Sequence, residues 1–142
     1  MITNLSYNRI KIKILLIKLV GRPLSFIERL KLRGIGSNKL VITDASPEII
    51  DLLKLDNNVN YCNIEIRKNG VVIRFRSLLE TYGFIIPYHK LVIYKGESKV
   101  YSFYNDENFI KFLVENKSTH LFIKKVTNLK NDYLNRMGLS HF

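Results

Sequence analysis

The side chains able to do chemistry are few and scattered. His89, His120 and His141 have no ligand spacing with one another or with Cys62, so no metal site is expected. His89 lies at a strand-to-strand transition and reads as a surface polar group, His120 falls in the first turn of the last helix, and His141 is near the chain end. To act as a nucleophile, Cys62 would need a neighbouring base that the sequence does not place; it reads as a small buried hydrophobe. Gly34-Ile35-Gly36-Ser37-Asn38-Lys39 has some of the residue types of a phosphate loop, but the order is helix, glycines, strand rather than strand, glycines, helix. It reads as a turn. Glu80 has no carboxylate partner for acid–base work, and no serine sits in an elbow motif. The expectation is a chain that is not an enzyme and holds no cofactor.

What stands out instead is charge. Of the 142 residues, 23 are basic and 12 acidic, a formal net charge of +11. Residues 1–40 carry +8, residues 41–107 carry −1 and residues 108–142 carry +4, so the excess sits at the two ends. Lys11, Lys13, Lys18, Arg22, Arg29, Lys31 and Arg33 are the candidate anion-binding residues, facing a lipid surface, an acidic protein or nucleic acid. The plainer alternative is that these charges serve solubility. Tyr and Phe residues crowd the strands from Tyr61 to Tyr104 and could stack single-stranded nucleic acid, although packing explains them as well. The lone cysteine cannot form an internal disulfide, which favours a reducing, cytoplasmic setting. No apolar run approaches the roughly 18 residues that span a bilayer.

The elements that position these residues follow from periodicity. Arg9–Val20 is ambiguous: Ile10, Ile12 and Ile14 alternate with Lys11 and Lys13 as in a strand, whereas Leu16, Leu19 and Val20 have helical spacing. Strand, docked helix and membrane-surface segment all remain open for it. Ser25 and Glu28 form a capping box for a short helix ended near Gly34. Lys39–Thr43 reads as a strand, and Ser46-Pro47 starts a helix that buries Ile49, Ile50, Leu52 and Leu53. The polar Asp56-Asn57-Asn58 loop is the expected boundary between a basic N-terminal extension (1–58) and the main unit (59–142), the two forming one compact body.

From Tyr61 the period becomes two. Asn69-Gly70, taken as a two-residue type I′ turn, would set Ile66 opposite Ile73, Ile64 opposite Phe75 and Glu65 opposite Arg74. Strands follow at Tyr82–Ile86, Lys90–Lys95, Lys99–Tyr104 and Asn108–Val114, with turns at Gly96-Glu97-Ser98 and Asn105-Asp106-Glu107 and an edge or bulge at Pro87. After Ser118 as N-cap, Phe122, Val126, Leu129 and Tyr133 line one face of a final amphipathic helix closed by Gly138.

The hairpin Asn63–Arg76, the segment Ile86-Pro87-Tyr88-His89-Lys90-Leu91, Phe109-Ile110-Lys111-Phe112 and the helix after Ser118 together resemble the pleckstrin-homology-like superfold, in particular its bacterial PH-like and GRAM-like domains, over residues 61–137. The resemblance implies an α+β chain: an antiparallel sheet or partly open barrel, plugged at one end by the C-terminal helix. It departs from the family in showing some six strands rather than seven, with no counterpart for residues 1–60. Such domains mostly bind lipids, peptides or proteins without catalysing anything, and in lipid-binding members basic residues of the first hairpin contact phosphate. Arg67, Lys68, Arg74 and Arg76 occupy comparable ground and are weaker candidates here. The expected function is thus a binding module at anionic membrane surfaces, peripheral to the inner leaflet. Nucleic-acid binding through the same basic end, or oligomerisation through Ile10–Val20, are the alternatives.

Overall fold

The computed structural model describes residues 1–55, 60–97 and 99–138. Eight strands and four helices follow one another along the described chain: β1 (Ile2–Asn4), α1 (Arg9–Val20), α2 (Phe26–Leu32), β2 (Leu40–Ala45), α3 (Pro47–Leu53), β3 (Tyr61–Ile66), β4 (Gly70–Ser77), β5 (Glu80–Pro87), β6 (Leu91–Lys95), β7 (Val100–Asn105), β8 (Asn108–Leu113) and α4 (Lys117–Arg136). The strands form one open antiparallel sheet in the order β1-β5-β4-β3-β2-β8-β7-β6. The architecture is α+β with a C-terminal helix.

The order has a simple origin. Successive strands from β2 to β5 pair as neighbours, the chain then crosses to the far edge at β6, and β7 and β8 return to pair with the other side of β2. Strand β2 is therefore the hinge common to both halves, with a register irregularity between Ile42 and Asp44 that bends it. This strand comes from the part of the sequence read as an extension, and β1, which periodicity did not reveal, adds to the edge of β5. Residues on both sides of the expected boundary thus share one sheet; the boundary loop itself lies outside the described residues, as does Ser98 of the expected turn.

Alternation within the strands puts Ile64, Ile66, Val71, Ile73, Phe75, Phe84 and Ile86 on one side, in a core to which α3 contributes Ile49 and Leu53 and α4 contributes Phe122, Ile123 and Val126. Leu129 and Tyr133 continue the α4 stripe, half-buried against the same core. The helix is capped by Asn116, whose side chain accepts the Thr119 N–H at 2.9 Å, and not by Ser118, which donates its hydroxyl to the same Asn116 oxygen. Ser46 opens α3 but makes no cap bond; its buried hydroxyl exchanges hydrogen bonds with the backbone of Phe109 on β8.

The β3–β4 hairpin differs from its expected register by two residues: Ile66 faces Val71, Ile64 faces Ile73 and Cys62 faces Phe75. A shift of two preserves which side chains face the core and changes only their partners. The central turn residues are Lys68 and Asn69, closed by Arg67 N–H donating to the Gly70 carbonyl at 2.9 Å, and neither has a positive φ. Gly70 serves a different need from the one its neighbour Asn69 suggests. A Cβ there would lie 2.5 Å from the Ile86 carbonyl oxygen and 2.6 Å from Val20, so the residue is small because α1 and β5 press against it. Glu65 still pairs with Arg74, as a diagonal neighbour rather than a directly opposite one.

Arg9–Val20 is a helix. It lies on the opposite side of the sheet, where Leu16 and Val20 pack on Val72 and Ile85, with Leu5, Ile12 and Leu19 around them. This second, smaller core separates Ile12 from Ile10 and Ile14, which the alternating strand reading had grouped together.

Candidate functional site

The hairpin tip holds the C-terminal end of α1 in place. Asn69 donates its N–H to the Val20 carbonyl at 2.8 Å, and the guanidinium of Arg67 donates to the Gly21 carbonyl from Nε at 3.3 Å and Nη2 at 3.2 Å. Arg67 is buried, and its own carbonyl accepts the Tyr88 hydroxyl at 3.3 Å. Burial disfavours its charge, while Glu65, 3.7 Å away, partly offsets that cost. The expectation of a solvent-facing, phosphate-contacting Arg67 is therefore corrected: its charge goes to the exposed carbonyl end of α1, where a cation complements the helix dipole. Arg74 is half-buried and held by Glu65, whereas Lys68 and Arg76 are exposed.

The seven N-terminal candidates are all exposed. Lys11, Lys13 and Lys18 project from α1, Arg22 from the linker that follows, Arg29 and Lys31 from α2, and Arg33 caps that helix in a left-handed conformation (φ 58°). Two of them have local partners. Arg22 pairs with Glu28 at 2.7 Å, and Arg29 Nε donates to the Leu24 carbonyl at 3.1 Å. The Ser25–Glu28 capping box forms as its spacing predicts. The hydrogen bond from Arg22, reinforced by the Ser25 N–H, holds the Glu28 carboxyl down at about 2.

Between these cations lies a feature the charge count did not reveal. Ile10, Ile14 and Ile17 fall within about 60° of one another on a wheel of 100° per residue, and they are 44–76% exposed. Lys13 flanks this stripe on one side, Lys11 and Lys18 on the other. Helix α2 repeats the arrangement: Phe26, Ile27 and Leu30 are 62–74% exposed, with Arg29 and Lys31 beside them, and no residue of α2 is fully buried. The spacing i, i+4, i+7 in α1 was the signal available. It went unread because the apolar residues of the opposite face hide it.

Burial pushes the Cys62 thiol up to about 12, leaving it protonated at neutral pH. His120 Nδ1 meets the Tyr101 hydroxyl at 3.0 Å, and His89 is exposed in the β5–β6 turn; His141 lies outside the described residues. Among the described residues no three His, Cys, Asp or Glu side chains are grouped so as to hold a metal ion. No helix among them is long and apolar enough to cross a membrane. A scan against models of known protein families matches none, and searches of curated proteins and of solved structures each return no match.

Proposed function

We propose that the chain is a non-enzymatic binding module of pleckstrin-homology-like build that docks on an anionic membrane surface, at the cytoplasmic side, through α1 and α2. The build is supported by seven antiparallel strands, β2 to β8, interrupted by α3 after β2 and followed by a C-terminal helix packed against the main core. Strand β2 supports the reading as a candidate for the seventh strand that the resemblance lacked.

The observation that carries the docking is the exposed isoleucine stripe of α1 with lysines along both borders. An amphipathic helix lying in the headgroup layer needs this pattern, an apolar line to enter the acyl boundary and long cationic side chains to reach phosphates beside it. Nucleic acid is recognised instead by cations with polar and aromatic neighbours, and an aliphatic stripe contributes little to it. A second copy of this chain is a poor occupant, because each copy brings the same charge of +11.

Each basic residue at an anionic surface contributes about 1 kcal/mol, so removing three weakens binding by roughly a hundredfold. The test is co-sedimentation with neutral and anionic vesicles at low and physiological salt. Salt-sensitive retention on anionic vesicles is expected, with loss in the triple variant Lys11→Gln/Lys13→Gln/Lys18→Gln. Binding that survives this triple substitution unchanged overturns the reading. Retention on a nucleic-acid column but not on vesicles moves it to the nucleic-acid alternative.

A further inference from the structure

The β4–β5 hairpin turns through Leu78 and Leu79, the second of which is 88% exposed. Its chemistry opposes what folding alone favours. A two-residue hairpin turn calls for glycine or asparagine wherever φ is positive, yet Leu78 is held at φ 58°, and neither leucine finds shelter in the fold. Directly beside the turn is an open groove of about 570 Å³ that Leu78 and Leu79 help to line with Lys39, Tyr61, Arg74 and Arg76. The Lys39 ammonium sits 5.5 Å over the Tyr61 ring. Arg76 is exposed.

The turn is also tied to the start of α1. Leu5 N–H donates to the Thr81 carbonyl and Thr81 N–H to the Ser6 hydroxyl, both at 2.8 Å. Glu80, the acid of the turn, has its carboxylate occupied by the Asn4 amide and by the Tyr7 hydroxyl at 2.7 Å. Those bonds hold its charge against the segment entering α1. The β4–β5 hairpin is thus hydrogen-bonded to the segment Asn4–Tyr7 that leads into α1, and the turn and α1 each carry exposed apolar residues with lysine or arginine beside them.

We infer that Leu78 and Leu79 are a second insertion point into the same anionic bilayer, with Lys39 and Arg76 of the adjoining groove meeting headgroup phosphates. This rests on the reading of α1 given above and deepens it. A single helix can roll about its own axis on a membrane, whereas two separated contacts fix the orientation in which the sheet is presented. Charge complementarity selects the occupant: apolar tips bordered by Lys39 and Arg76, which form no ion pair among the described residues, fit an anionic lipid surface better than an apolar protein face.

The chain contains no tryptophan, so a single introduced one reports on its own site. Leu79→Trp and Ile14→Trp variants would be titrated with phosphatidylglycerol-containing and with neutral vesicles, following the emission blue shift and quenching by brominated acyl chains. Both tryptophans are expected to shift and to be quenched on the anionic vesicles alone. A response at position 14 without one at position 79 overturns this inference and leaves the reading of α1 standing. A response at 79 alone supports the turn and overturns α1 as a docking element; silence at both sites overturns both. Leu78→Gly supplies the independent check. Relieved of its left-handed leucine, that variant should keep or raise its melting temperature while vesicle affinity falls roughly tenfold. Unchanged affinity counts against insertion of the turn.

Discussion

Helices α1 and α4 are both packed on the sheet, and they manage their apolar residues in opposite ways. Helix α4 buries Phe122, Ile123 and Val126 and leaves Lys124 and Asn128 outside, so one face is apolar and the other polar. Helix α1 buries Leu16 and Val20 but also carries Ile10, Ile14 and Ile17 on its outer face. Packing on the sheet accounts for the apolar residues of α4 other than Leu121, which is 55% exposed. For α1 it accounts for one face and leaves Ile10, Ile14 and Ile17 exposed on the other. On the proposed function, the difference separates a structural element from one with a structural side and a docking side.

If this division is right, the two helices respond differently to truncation. Phe122→Ala on α4 should cost about 3–5 kcal/mol, and Leu16→Ala on the inner face of α1 about 2–3 kcal/mol, since its core is a cluster of four fully buried residues. Urea unfolding at equilibrium measures both. Were Leu16→Ala to cost nothing, α1 would be only loosely attached and the comparison would collapse.

The same contrast explains what the sequence made legible. The face of α4 was readable because a single apolar stripe has one period. In α1 two stripes overlap, so Arg9–Val20 satisfied a strand template in its first half and a helix template in its second. The strands from Tyr61 onward were readable in place and order from their period of two, helped by Asn69, Gly96 and Asp106 in three of the turns, while the Leu78-Leu79 turn carries no such residue. Their partners were less so. Asn69-Gly70 suggested a turn centred on a glycine, whereas Gly70 answers a steric demand made by Val20 and Ile86, residues 50 and 16 positions away in the chain. Tertiary proximity of that kind leaves no local trace. Arg67 is the parallel case at the site: a cation next to a turn looks solvated until the Gly21 carbonyl, remote in sequence, is placed beside it. The seven N-terminal cations were legible from charge alone; the exposed isoleucines among them needed the helix first.

Helix α2 lies between the two extremes, with its cap well formed and no fully buried residue. Its start should therefore depend on local bonds. Ser25→Ala removes the cap and should weaken the helix by about 1 kcal/mol. Glu28 adds a pH dependence. Its carboxyl is held near 2 in the folded chain against an ordinary value of 4.5, so its contribution is fully present above about 4.5 and lost as pH falls towards 2. Amide chemical shifts of Ser25 and Glu28, followed from pH 6 down to 2, should move together in that window and stay flat in Glu28→Gln. A midpoint near 4.5 would mean that the Arg22 contact does not persist in solution.

The smallest expected effect on stability is the most discriminating. Ile14→Gln replaces an exposed apolar side chain in a helix interior with another good helix former, and its stability change should lie within about 0.5 kcal/mol. Phe122, by contrast, cannot be exchanged for glutamine without burying an unpaired amide. If Ile14 faces only water, Ile14→Gln should be silent in every measurement. If it enters the headgroup layer, the variant should unfold with the wild-type midpoint and bind anionic vesicles several-fold more weakly, because the buried apolar area is lost while every lysine remains. A loss of stability with unchanged vesicle binding would place Ile14 in the fold after all, and the outer face of α1 would then belong with α4.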